Sequence, residues 1–180
     1  QPRSWSVLTG TGVTGGFTLG AVSADSGGRP ASNYGTFSLQ QSSTAVTLTF
    51  TPHTPAEAWR LVNFSTTANT GDAADNADPD RDQMNNLLER AFGGNPNAAD
   101  SALLPATDDT APLLSIIYRK ANAATDLTFS VEESPDLAAP WATANGSSTL
   151  LGNDGIAQRF RFTAPAGSAI LAIQRLSPQD

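Results

Sequence analysis

Between Gly35 and Phe50 apolar and polar positions alternate in two runs: Phe37 and Leu39 flank Ser38, and Val46, Leu48 and Phe50 enclose Thr47 and Thr49. A period of two places each set on one face, so the runs predict strands over 35–40 and 45–50, paired antiparallel through the connection at 41–44. The whole stretch from Trp5 reads as short strands punctuated by Gly, Ser and Asn. A loop is expected over 25–33, where Gly27-Gly28 and Pro30 interrupt the pattern.

The period then changes. Thr54-Pro55-Ala56-Glu57 holds an N-cap threonine, a proline at the first helical position and a glutamate three residues after the cap. Ala58, Leu61 and Val62 fall on one face beside Trp59, so a helix is predicted to about Phe64. After a polar loop over 66–77, Met84, Leu87, Leu88, Ala91 and Phe92 recur at helical spacing and predict a second helix starting near Met84, closed by Gly93-Gly94 and Pro96. Residues 97–112 are rich in Ala, Asp and Pro and read as a linker. Strands return at 113–118, 127–132, 158–163 and 169–175, with Asn145-Gly146 as a tight turn, which fits a small antiparallel sandwich.

The predicted fold class is therefore mainly β, in four parts. An N-terminal β unit spans 1–52, a helix-loop-helix junction 53–97, a linker 98–112 and a β-sandwich 113–180.

Within the junction, Asp72, Asp75, Asp78, Asp80 and Asp82 crowd into one short segment, where like charges repel unless something positive lies among them. With Asp78 as position one, acidic side chains occupy positions one, three and five, Asn86 position nine and Glu89 position twelve. That is the oxygen-ligand spacing of an EF-hand-type loop, with the backbone carbonyl of Met84 at position seven. Alternate residues of a tight loop point inward, and the last ligand arrives from a helix that begins inside the loop. Four carboxylates and six or more oxygens favour calcium over the strict octahedron of magnesium. The expected metal ligands are thus Asp78, Asp80, Asp82, Met84, Asn86 and Glu89, and the expected ion is Ca2+. Position six, usually glycine, is Gln83, for which a left-handed backbone costs on the order of 1 kcal/mol. Asp72, Asp75, Asn76 and Asn97 are further oxygen donors whose spacing assigns them no place.

The segments Ala58-Trp59-Arg60, Asn63-Phe64, Asn69-Thr70-Gly71, Ala77-Asp78-Pro79-Asp80, Asn85-Asn86-Leu87-Leu88-Glu89 and Gly94-Asn95-Pro96 together resemble a calcium segment found in secreted surface proteins of Verrucomicrobia and related bacteria. It is dockerin-like or thrombospondin type 3-like. The resemblance runs from about Thr54 to Pro96 and implies ligand roles for Asp78, Asp80, Asp82, Asn86 and Glu89. Arg81 and Gln83 stand where that group usually has glycine, and Arg90 where it has an aromatic residue. In the group, the segment often joins a large extracellular region to a terminal β module, which Val131-Glu132-Glu133-Ser134, Asp136-Leu137 and Trp141 resemble. More loosely, the N-terminal strands resemble the last rungs of proteins with autotransporter-associated β-strand repeats.

Composition narrows the function classes. Against 17 acidic residues stand 10 basic ones without a cluster, so a phosphate backbone is repelled and no nucleic-acid partner is expected. The absence of cysteine leaves neither disulfides nor thiolate metal sites, and a bound metal is the alternative staple for an exported chain. A single lysine among abundant Ala, Thr, Ser, Gly, Asn and Asp reads as an exported bacterial protein, and the expected location is extracellular or at the cell surface. No apolar run reaches the ~18 residues of a membrane span, and no signal pattern follows Gln1, so a piece of a longer chain is expected. His53 is the sole histidine, no glycine-flanked serine nucleophile accompanies it, and Glu132 and Glu133 face opposite sides of a strand, so an enzyme is not expected.

The first functional expectation is a calcium-stabilised structural or anchoring module, with the upstream passenger region of the same protein as partner. Two others stand beside it. One is a carbohydrate-binding or adhesive module that uses Trp141, and the other is a subunit of an extracellular filament or surface layer.

Overall fold

In the computed structural model, residues 1–20, 22, 30–108, 110–134, 141–166 and 170–178 are described. β1 (Arg3–Thr9), β2 (Gly35–Gln41) and β3 (Ala45–Pro52) form an antiparallel sheet of order β1-β3-β2. The alternation read from the sequence sets its register: Phe37 lies opposite Phe50 and Leu39 opposite Leu48, and the two phenyl rings sit 4.7 Å apart. The connection at 41–44 is held by Ser42, whose hydroxyl accepts the amide of Ala45. The expected loop over 25–33 ends in a 3-10 turn, Ala31–Asn33, and its earlier part lies outside the described residues. His53 bonds the Ser32 carbonyl through Nε2, a structural tie.

α1 (Pro55–Phe64) starts at the anticipated capping box, with Thr54 and Glu57 satisfying each other's amides. Its buried face differs from the expected one. Val62 is exposed, while Arg60 is buried and bonds Asp75 at 2.7 Å. An ion pair with the following loop turns the helix, because a guanidinium with a partner is better buried than a valine with no core to meet. The loop over 66–77 carries one 3-10 turn, Gly71–Ala73.

α2 (Asn86–Phe92) begins two residues later than its apolar period suggests, because Asn85 caps it by accepting the Leu88 amide. Met84, Ala91 and Phe92 pack against Ala121, Ala124 and Leu127, so the junction and the C-terminal strands share one core. The segment over 98–112, expected as a linker, is not free chain. It holds a 3-10 turn (Ser101–Leu103) and β4 (Ala106–Thr107), which pairs with β5 (Ser115–Ala121), and Leu103 lies against the shared core.

β6 (Leu127–Ser134), β7 (Ala142–Thr143), β8 (Ser147–Asn153), β9 (Ala157–Thr163) and β10 (Ile170–Pro178) complete the chain. They form two antiparallel sheets, β4-β5-β9-β8 and β10-β6-β7. Ile116, Tyr118 and Phe162 of one sheet meet Val131 of the other, which gives the sandwich-like core expected of a mainly β protein.

Asn145-Gly146 does not make a hairpin. Gly146 sits where a Cβ would strike the Thr163 carbonyl and the Phe162 ring, so a close backbone approach requires it. The β8–β9 hairpin turns instead at Asp154-Gly155, where Gly155 has φ +91°. Asp154 accepts the amides of Ile156 and Ala157, and these bonds with Arg119 hold its carboxyl down to about 2. Trp141 is half-buried, while Asp136-Leu137 lies outside the described residues.

Candidate metal centre

The loop between the helices folds around its own carboxylates. Asp78 accepts the Arg81 amide at 2.8 Å through Oδ1 and the Gln83 amide at 3.0 Å through Oδ2. Asp80 accepts the amide of Asp82, and Asp82 accepts that of Met84 at 2.8 Å. To close so tightly the backbone becomes left-handed at Arg81 (φ +64°) and Gln83 (φ +79°). These are the two positions singled out as bearing side chains in place of glycine, so the turn is kept and each side chain carries its steric cost.

α2 brings in the next donor. Glu89 lies in its first turns with an exposure of 0 %, and neither carboxylate oxygen accepts a hydrogen bond from the described residues. Beyond the helix, Gly93 adopts φ +79° as the C-cap, and both Gly93 and Gly94 donate their amides to the Glu89 carbonyl. Asn95 then donates its amide to Asp100 Oδ2 at 2.9 Å, and Asp100 in turn donates its amide to Asp82 Oδ2 at 2.7 Å. Asp100 thus returns to the loop from the far side of the helix. A Cβ on Gly94 would collide with Glu89 Oε2, so only glycine leaves room for that carboxylate.

Asp78, Asp80 and Asp82 form one cluster whose ligand oxygens lie within 4.8 Å of one another, and Asp82, Glu89 and Asp100 form a second. Oxygens bound to one ion at calcium-like distances cannot lie more than about 5 Å apart. The second cluster therefore spans what a single cation can bridge. Among the described residues, Asp100 Oδ1 and both oxygens of Glu89 in this cluster are buried without a hydrogen bond, as is Asp80 Oδ2 in the first, and Asp82 is common to the two clusters. Such groups are costly to leave unmade, the more so when charged.

Burial, with Asp100 and Asp82 alongside, pushes the Glu89 carboxyl up to about 8, and burial moves Asp80 in the same direction. The neighbouring arginines do not relieve this charge: Arg90 bonds Asp126 at 2.6 Å, and Arg60 bonds Asp75. The donor set is all oxygen and all hard, and the buried acids Asp82 and Glu89 with the half-buried Asp100 could hold a metal ion.

Met84 and Asn86, the other expected ligands, tie the loop to its surroundings through groups other than the expected Met84 carbonyl. Met84 is a fully buried core side chain whose amide bonds Asp82. Asn86 donates its amide to the carbonyls of Asp72 and Ala74, both at 2.7 Å, and so pins the preceding 3-10 turn to α2; its Oδ1 is buried and accepts no hydrogen bond. Asp75 faces Arg60 and Asn69, away from both clusters.

Asp100 was not among the expected ligands, and neither was the role of Gly94. The signal for both lies in Gly93-Gly94-Asn95-Pro96, which ends the helix and reverses the chain, followed by an acid five residues after Asn95. Comparison with protein-family models, curated proteins and solved structures finds no match for this chain.

Proposed function

We propose that the chain is a non-catalytic structural module stabilised by Ca2+, in which one ion is held by Asp80, Asp82, Glu89 and Asp100. Asp78 shapes the loop around it. The observation that carries the reading is Glu89, a carboxylate with no exposure, no hydrogen bond to either oxygen among the described residues and two acids at its side. A buried, unpaired anion is so unfavourable that a cation is the natural partner, and the count of oxygen donors suits calcium's larger, more flexible shell.

The ion would link three segments: the loop over 78–84, α2, and the turn leading to Asp100. Because α2 shares its core with Ala121 and Leu127, fixing the helix fixes the seat of the C-terminal strands. Folding energy gained on binding follows by mass action. The absence of cysteine suits an exported setting in which the metal takes the place of a disulfide, and an anchoring role in a secreted bacterial surface protein is the reading we favour.

Isothermal titration with CaCl2 at neutral pH tests this. One site per chain is expected, with MgCl2 weaker, and Glu89→Gln is expected to remove the heat while leaving the chain folded. Wild-type protein that takes up no calcium at millimolar concentration would end the reading.

A further inference from the structure

A groove of about 400 Å³ lies between the chain over 102–107 and the β5–β9 sheet face. The register places Arg119 directly opposite Arg159 and Ile117 opposite Arg161, so all four side chains belong to one face. Two like charges facing across an antiparallel pair oppose folding unless something negative lies between or beside them. Arg161 bonds Asp108. Arg119 bonds Asp154 and the Phe92 carbonyl.

Arg159, exposed at the groove, has neither an ion pair nor a hydrogen bond among the described residues. Its neighbour on β8 is Gly152, around whose Cβ position nothing lies within 4 Å. The guanidinium therefore faces open space on that side.

The opposite wall is aliphatic: Leu103, Leu104 and Ala106. Leu104 is 37 % exposed, an apolar surface with no cover in the fold. Tyr118, between Ile117 and Arg119 on β5, turns its ring to the opposite face, into the core with Val131 and Phe162, and its hydroxyl bonds Ser148, so no ring face is offered for a pyranose to stack on. A net charge of −7 repels polyanions such as acidic polysaccharides or nucleic acids, while a single carboxylate meets the arginine with little of that penalty.

We infer that this groove binds the free C-terminus of a peptide with an aliphatic last residue, its carboxylate on Arg159 and its side chain between Leu104 and Ile117. A guanidinium suits the task because it presents parallel donors to both oxygens of a carboxylate. The inference stands apart from the calcium reading.

Fluorescence anisotropy with a labelled hexapeptide ending in Val-Leu tests it, in free-acid and C-terminal amide forms, alongside a labelled oligogalacturonate. Saturable binding of the acid is expected, with the amide about tenfold weaker or worse. Arg159→Gln is expected to weaken the acid by a similar factor, and Leu104→Asp to weaken both forms; neither site is buried in the core, so melting temperature should serve as a folding control. No saturation by the acid, equal binding of acid and amide, an unaffected Arg159→Gln variant, or tighter binding of the oligogalacturonate would each overturn the inference.

Discussion

The N-terminal sheet and the helix junction solve the same problem in opposite ways. In the sheet, backbone donors and acceptors meet in ladders, and the charges are few. Side chains such as Trp5, Val7 and Leu8 stay largely in solvent, so little depends on any one of them. The junction has only two short helices, and its deepest polar group is a carboxylate without a hydrogen bond. A β ladder satisfies itself, whereas a nest of acids is complete only with a partner. On the proposed calcium reading, the stability of the junction is conditional on solution composition, and that of the sheet is not.

The sharpest way to break this contrast is to fill the space beside Glu89. Gly94→Ala puts a methyl group against Oε2 and displaces that carboxylate, and it is expected to cost about 1–3 kcal/mol in calcium and to abolish the difference between calcium and chelator. Urea titration in both conditions measures it. If the variant matches wild type, the carboxylate is not held where the geometry puts it.

Next in size is the response to pH without metal. The Glu89 carboxyl is raised from 4.5 to about 8, so the folded state keeps a proton that the unfolded chain releases. Stability in chelator should therefore fall as pH rises through that window, with Asp80 shifted the same way. Calcium competes with the proton, so its affinity should climb over the same range. Melting temperature measured from pH 4.5 to 8 checks both, and a chelated protein that grows more stable with rising pH contradicts the account.

A smaller effect is expected at the loop's strained backbone. Gln83→Gly removes the steric cost of φ +79° and should add about 1 kcal/mol in calcium, with tighter binding of the ion.

Much of this contrast was legible along the chain, for local reasons. Thr54 and Glu57 announce α1 because a capping box involves four consecutive residues, and Phe37, Leu39, Leu48 and Phe50 announce the hairpin because a pleat has a fixed period. The spacing from Asp78 to Glu89 marked the acidic loop for the same reason. What escaped depends on tertiary neighbours. Asp100 reaches the cluster only because Gly93 and Gly94 reverse the chain, and a run of Ala, Asp and Pro looks like a linker until β4 finds β5.

Val62, expected on the apolar face, is exposed while Arg60 is buried, because Asp75, fifteen residues on from Arg60, decides which face is buried. Asn145-Gly146 has the composition of a hairpin turn, yet its glycine serves close packing, and Asp154-Gly155 makes the turn instead. β8 lacks any alternation because it is an exposed edge, so no period could mark it.

Hydrogen exchange by mass spectrometry, run at neutral pH in calcium and in chelator, compares the two regions within one molecule. The account predicts that calcium slows exchange across 78–100 by about tenfold or more while peptides covering β2 and β3 exchange at the same rate in both conditions. Equal exchange of 78–100 with and without calcium, or the same slowing in both regions, would contradict it.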